Sequence, residues 1–88
     1  MVKVEIYTAP FCGFCVRAKK LLHDKGINFE EIDVSSVAGA HEQMIERSGG
    51  KMSVPQVFVN DVYVGDCDGI YMLDAHGELD AKLSSTIV

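Results

Sequence analysis

Apolar and polar residues alternate at the start of the chain. Val2, Val4 and Ile6 are apolar and polar residues separate them, which is the period of two typical of a β-strand with one buried face. From Phe14 the apolar residues recur at helical spacing, and Gly26 is a residue type that commonly follows the end of a helix. The first part of the chain therefore predicts a strand, a short loop and a helix.

The next part of the chain repeats this order. Apolar residues among acidic ones over residues 27–34 predict a second strand that begins near Ile27. Residues 35–39 have the composition of a loop, and a second helix follows from Ala40 to a pair of glycines. The apolar face of this helix leaves Arg47 on the opposite, polar side.

Two runs rich in β-forming residues follow the second helix. Residues 57–59 and 62–64 flank Asn60 and Asp61, and a two-residue connection of this kind predicts an antiparallel hairpin. Helical spacing returns over residues 70–83 and predicts a third helix and a short last one. Because a strand-helix-strand unit has parallel strands, we expect an α/β fold with a four-stranded mixed sheet flanked by helices.

Length, charge and cysteine content narrow the class of protein. A chain of 88 residues suits one domain over residues 1–88 with a single modest core. With eight Lys and Arg and a net charge of -5, it has no concentrated positive face for nucleic acid or an anionic membrane. Three cysteines are too few for a disulfide framework, and the N-terminus reads neither as an export signal nor as a membrane span. We expect a cytoplasmic protein.

The segment Cys12-Gly13-Phe14-Cys15 carries the clearest chemistry. Cys12 lies between the first predicted strand and helix, and a thiol at a helix N-terminus is favoured as the thiolate that disulfide exchange requires. Two intervening residues on the first helical turn bring Cys15 within reach of Cys12, so that the second thiol can resolve a mixed disulfide. We expect Cys15 to be the more buried and less acidic thiol.

Other interpretations of the cysteines remain open. Two cysteines at this spacing form half of a zinc site, but the other half would have to come from Cys67 and the histidines, which form no second close pair. All three cysteines are also compatible with buried packing without reactivity.

Two further segments have both a structural and a functional interpretation. Pro55 suits the first residue of a strand, and it also suits a cis bond that exposes the backbone of Val54 to a peptide-like substrate. Asp66 or Asp68 suits a helix cap. The backbone N–H groups around Cys67 also suit a carboxylate, with Asp68 pairing with an amine.

These segments occur in the order of a known family. With residues 12–15, 53–55 and 65–68 at this spacing, the chain resembles the glutaredoxins, specifically the short bacterial dithiol members of the glutaredoxin 3 type. The resemblance covers nearly the whole chain. It implies a thioredoxin-like fold and glutathione-dependent reduction of protein disulfides and protein–glutathione mixed disulfides, and hence a role in cell redox homeostasis.

The resemblance also implies residue roles. Cys12 would attack and Cys15 would resolve, and Pro55 would be cis. Val54 would pair its backbone with glutathione, and the other glutathione contacts would come from four side chains. These are Phe14 beside the bound thiol, Lys51 at the glycyl carboxylate, and Cys67 and Asp68 at the γ-glutamyl end. We expect a monomer whose partners are glutathione and disulfide-containing or glutathionylated proteins.

Several residues depart from the family pattern. Gly13-Phe14 stands where dithiol members commonly have Pro-Tyr, and it resembles the monothiol branch. In the family a small residue there accompanies dimers that hold a [2Fe–2S] cluster through the first cysteine and glutathione, so cluster binding is an alternative function. Ala9 stands where relatives often have a basic residue, and Asp66 and Gly69 replace a glycine and an aspartate.

A redoxin reduced by thioredoxin reductase is a third possibility. Such a protein shares the fold and the CxxC segment but lacks a glutathione site. Lys51 and Asp68 favour glutathione as the reductant.

Overall fold

The computed structural model describes residues 2–84, and its elements follow the predicted order. The strands and helices are β1 Val4–Thr8, α1 Gly13–Asp24, β2 Glu30–Asp33, α2 Ala40–Arg47, β3 Gln56–Val59, β4 Val62–Gly65, α3 Cys67–Ala75 and α4 Glu78–Leu83. No helix within residues 2–84 is long and apolar enough to cross a membrane.

The start of β2 was predicted too early. Ile27 donates its N–H to the carbonyl of Leu22 at 3.1 Å, so it belongs to the turn that closes α1. Gly26 permits this turn because its φ is +71°. Pairing with β1 begins only at Glu30, which lies opposite Glu5.

The four strands form one mixed sheet in the order β2-β1-β3-β4. β1 is parallel to β2 and antiparallel to β3, and β3 and β4 form the predicted antiparallel hairpin. Asn60 and Asp61 have φ values of 51° and 67°, the positive values required at both central positions of a type I′ turn. The predicted α/β fold with a four-stranded mixed sheet is confirmed.

Helices cover both faces of the sheet. Val4 and Ile6 of β1 lie on the face that packs against α1, α3 and α4. Tyr7 and Phe58 lie on the other face, where they contact apolar residues of α2. The alternation along β1 therefore supplies both halves of the core.

Arg47, predicted on the polar side of α2, contacts the sheet. Its guanidinium lies 4.1 Å from the centre of the Phe58 ring. It donates to Glu5 at 2.9 Å and to the Tyr7 hydroxyl at 2.8 Å. The end of α2 thus places a cation against the sheet, and two strands supply its partners.

Strand direction brings three connections to one end of the sheet. Tyr7 lies opposite Gln56, and Val57 lies opposite Gly65. The residues that follow β1, precede β3 and follow β4 therefore meet there, and they include Cys12, Val54 and Cys67.

Candidate active site

Cys12 occupies the N-cap position of α1. Its backbone is extended, with φ −106° and ψ 106°, and its Sγ accepts the N–H of Cys15 at 3.2 Å. The side chain is half-buried, so a substrate sulfur can reach it. The sulfur thus lies at the N-terminus of α1, beside a backbone N–H donor.

Cys15 lies one turn further into the helix and is only 2% exposed. Burial, followed by the hydrogen bond and charge of Cys12, raises the pKa of Cys15 to about 12. The expectation that Cys15 is the more buried and less acidic thiol is confirmed for burial and supported by this shift. Both cysteines are free thiols in the structure.

The loop before β3 faces Cys12. The peptide bond between Val54 and Pro55 is cis, as the resemblance implied. The Val54 carbonyl lies 3.9 Å from Cys12 Sγ, within the range of a weak hydrogen bond from the thiol. The backbone of Val54 is therefore presented beside the sulfur.

The start of α3 forms the third side of the site. Asp66 caps this helix, because its Oδ1 accepts the N–H of Gly69 at 2.8 Å. The turn from β4 is tight: a Cβ at Gly65, where φ is +138°, would lie 3.2 Å from the Gly69 Cα. Asp68 is exposed in the first turn, whereas Cys67 is buried and burial raises its pKa.

A groove of about 220 Å³ lies among these segments. Its lining residues are Phe14, Ser53, Val54, Pro55, Asp66, Cys67 and Asp68. The groove thus brings together most of the predicted glutathione contacts. Lys51 is exposed on the loop before β3, which also carries Val54, but it lies outside the groove lining. Ser53 and Asp66 line the groove although neither was predicted to bind, and only their places beside Val54 and Cys67 in the motifs signalled this.

A second groove of about 410 Å³ contains Cys12 itself. Its lining residues are Ala9, Pro10, Phe11, Cys12, Gly13, Cys15, Val16, Lys19 and Glu31. The Phe11 side chain is fully exposed at 107%, on a backbone with φ +60°. The sequence did not single out Phe11, because a positive φ in a loop has no simple pattern in residues other than glycine.

The cations of α1 are engaged by neighbouring side chains. Lys19 pairs with Glu31 at 3.0 Å, and this hydrogen bond lowers the pKa of Glu31. Arg17 lies 6.0 Å from the centre of the Phe14 ring and 5.4 Å from that of Tyr71. Arg17 therefore stands beside the first groove, and its charge opposes the burial effect on the pKa of Cys67.

No metal centre is built from one chain within the described residues. Residues 2–84 contain no group of three or more His, Cys, Asp and Glu side chains that could hold a metal ion. Cys15 and Cys67 are both buried, which leaves Cys12 as the accessible thiol of the three.

The chain is similar to proteins of one known family. The Glutaredoxin family model matches residues 4–64. Glutaredoxin 3 of Escherichia coli strain K12 is 47% identical over 83 residues, which are 94% of this chain and 99% of that protein.

Solved structures give the same result. The solution structure of glutaredoxin from Brucella melitensis is 45% identical with a TM-score of 0.83, covering 100% of this chain and 95% of that one. A structure described as "Metal Binding of Glutaredoxins" is 44% identical with a TM-score of 0.73 and the same coverage. The chain has the thioredoxin-like fold, and it belongs to the glutaredoxin family of thiol–disulfide oxidoreductases.

Proposed function

We propose that this protein uses glutathione to reduce protein disulfides and protein–glutathione mixed disulfides, with Cys12 as nucleophile and Cys15 as resolving thiol. The observation that carries the proposal is the environment of Cys12 Sγ. This sulfur accepts the Cys15 N–H at the start of α1 and lies 3.9 Å from the Val54 carbonyl. A half-buried thiol with an N–H donor at a helix N-terminus is suited to attack a disulfide.

The reaction with a glutathionylated protein takes two exchanges. The Cys12 thiolate attacks the glutathione sulfur, the mixed disulfide breaks, and the protein cysteine leaves as a thiolate that takes a proton. A second glutathione thiolate then attacks the glutathione sulfur bound to Cys12. Glutathione is oxidised to its disulfide, the protein cysteine is reduced, and Cys12 is restored.

A protein disulfide follows a different second step. Cys12 first forms a mixed disulfide with one protein cysteine, and the other cysteine leaves and is protonated. Cys15 loses its proton and attacks Cys12 Sγ, which releases the reduced protein and leaves a Cys12–Cys15 disulfide. Two molecules of glutathione then reduce this disulfide. The raised pKa of Cys15, caused mainly by burial, keeps this thiol protonated while Cys12 makes the first attack.

The first groove suits the two ends of glutathione. The Val54 backbone would pair with the peptide part, and Phe14 would flank the sulfur. The first N–H groups of α3 would hold the γ-glutamyl carboxylate, and Asp68 would pair with the γ-glutamyl amine. Lys51 would approach the glycyl carboxylate, because it is an exposed cation on the loop that also carries Val54.

A coupled assay tests this proposal. The substrate is the mixed disulfide of glutathione with mercaptoethanol, and glutathione reductase with NADPH reports oxidised glutathione. We expect Cys12→Ser to abolish turnover and Cys15→Ser to retain it. With a protein disulfide such as that of insulin, both variants should lose activity. Turnover by Cys12→Ser equal to that of the unmodified protein would refute the assignment.

The setting of the activity is part of the same proposal. We expect one domain over residues 1–88 that acts as a cytoplasmic monomer in cell redox homeostasis, and residues 1 and 85–88 lie outside the described residues. Sedimentation of the reduced protein measures the oligomeric state directly.

Binding of a [2Fe–2S] cluster is a second candidate function. It is favoured by the 44% identical structure that is described by its metal binding. In this chain Cys12 offers one accessible sulfur. The space beside Gly13 is open, because a Cβ there would meet no atom within 4 Å. Cluster iron is commonly held by four thiolates, so two chains and two glutathione molecules would have to supply them. Anaerobic reconstitution with glutathione should then give a coloured dimer that Cys12→Ser does not form.

A further inference from the structure

The loop between α2 and β3 carries two of the proposed glutathione contacts. Residues 48–55 belong to no helix or strand, and Gly49 and Gly50 have φ values of +75° and +113°. Backbone hydrogen bonds from these two glycines to the last turn of α2 hold the start of the loop, but no described backbone hydrogen bond holds residues 51–55. The direction in which Lys51 and Val54 face therefore depends on contacts made by side chains.

Side chains hold the backbone of three consecutive residues of this loop. Ser48 Oγ accepts the Lys51 N–H at 3.1 Å, His41 Nε2 donates to the Met52 carbonyl at 2.9 Å, and Gln56 Nε2 donates to the Ser53 carbonyl at 2.8 Å. Fixing a carbonyl fixes the plane of its peptide, including the N–H of the next residue. The next carbonyl in the series is that of Val54, which faces Cys12.

His41 differs from the other two tethers. Ser48 and Gln56 are three residues from the backbone groups they contact, so they shape the loop locally. His41 lies eleven residues from Met52, in the first turn of α2. Since a carbonyl only accepts hydrogen bonds, Nε2 carries the proton in this contact. This bond joins the loop to a helix that is already packed on the sheet.

We propose that His41 is a positioning residue for glutathione binding. By holding the Met52 carbonyl, it keeps the Val54 backbone directed at the groove beside Cys12 before substrate arrives. Without this bond the loop would have to be ordered during binding, and the lost conformational entropy would weaken affinity. The inference rests on the proposed use of glutathione at this groove.

The effect should fall on binding and not on the reactivity of the thiol. Cys12 is held by α1 and by the Cys15 N–H, neither of which involves His41. Loss of one hydrogen bond to a partly exposed carbonyl should raise KM about fivefold. The kcat of the exchange should remain within about twofold, because interactions that only organise binding act on KM.

The test compares three variants in the assay with the mixed disulfide of glutathione and mercaptoethanol. His41→Ala removes the donor. His41→Gln restores one, because glutamine Nε2 lies about as far from the backbone as histidine Nε2. His76→Ala is the matched control, since His76 is an exposed histidine at the end of α3. We expect a raised KM for the mixed disulfide only in His41→Ala. The KM of the other two variants should be near that of the unmodified protein.

Hydrogen exchange provides an independent measurement. The amides of residues 52–54 should exchange faster in His41→Ala than in His41→Gln, with those of β1 unchanged. An unchanged KM in His41→Ala, or a raised KM that His41→Gln does not reverse, would overturn the inference. A protein without glutathione-dependent turnover would instead refute the proposed function, and the exchange measurement would still decide whether His41 holds the loop.

Discussion

Replacing Arg47 with methionine should destabilise the protein far more than replacing an exposed charged residue of a helix does. The Arg47 side chain is 21% exposed, and that of its partner Glu5 is 13% exposed. Arg47→Met keeps most of the apolar stem but removes the charge over Phe58 and both hydrogen bonds to β1. The substitution therefore isolates the polar part of the network.

The structure gives the size of the loss. A hydrogen bond between charged groups contributes about 1.5–3 kcal/mol, and a cation over an aromatic ring about 1 kcal/mol. Glu5 would also be left largely buried without its cation, as happens when one partner of a buried pair is removed. We expect the free energy of unfolding to fall by about 3 kcal/mol, and Tm by about 12 °C or more in a domain of this size.

Thermal and urea unfolding of the two variants Arg47→Met and Lys20→Met measures this difference. Lys20 pairs with Asp24 at 2.7 Å, a distance similar to that between Arg47 and Glu5, but its side chain is 70% exposed. Solvent screens such a pair, so Lys20→Met should leave Tm almost unchanged. Equal losses in both variants, or a loss below about 1 kcal/mol for Arg47→Met, would refute the argument from burial.

Three further predictions concern the site. Phe11→Asn should raise the free energy of unfolding by about 1 kcal/mol in urea titrations, because asparagine tolerates φ +60° and the ring buries nothing. Asp66→Ala should lower it by about 1 kcal/mol, since the cap on Gly69 is lost. Iodoacetamide at pH 8 should label Cys12 and spare Cys15, because Cys15 is buried and its pKa is raised from 9.0 to about 12. The same shift means that Cys15 binds its proton more tightly in the folded protein than in the unfolded chain. The stability that this contributes is present below pH 9 and is lost as the pH rises toward about 12.

The elements of the fold were predictable because their signals are local. The alternation along β1 and the Asn60-Asp61 turn depend on residues that are neighbours in the sequence. The late start of β2 was missed because Ile27 is of a residue type that suits a strand. In the structure its hydrogen bond to Leu22 makes it part of the turn that ends α1. Periodicity does not distinguish an apolar residue that closes a helix from one that opens a strand.

Contacts between distant segments were not predictable in the same way. Arg47 reaches Glu5 across 42 positions, and its place on the polar side of α2 gave no sign of partners on the sheet. His41 has no motif at all, and its role depends on where the loop before β3 passes. The paired cysteines were recognised because their spacing is itself the chemical signal.

One helical turn explains why two identical thiols differ. Cys12 is the N-cap residue of α1, and its sulfur accepts an N–H and is partly exposed to solvent. Cys15 lies three residues further along the helix and is buried, so burial opposes its ionisation. The position of each cysteine along α1 is therefore what favours attack by Cys12 and resolution by Cys15 in the proposed reaction.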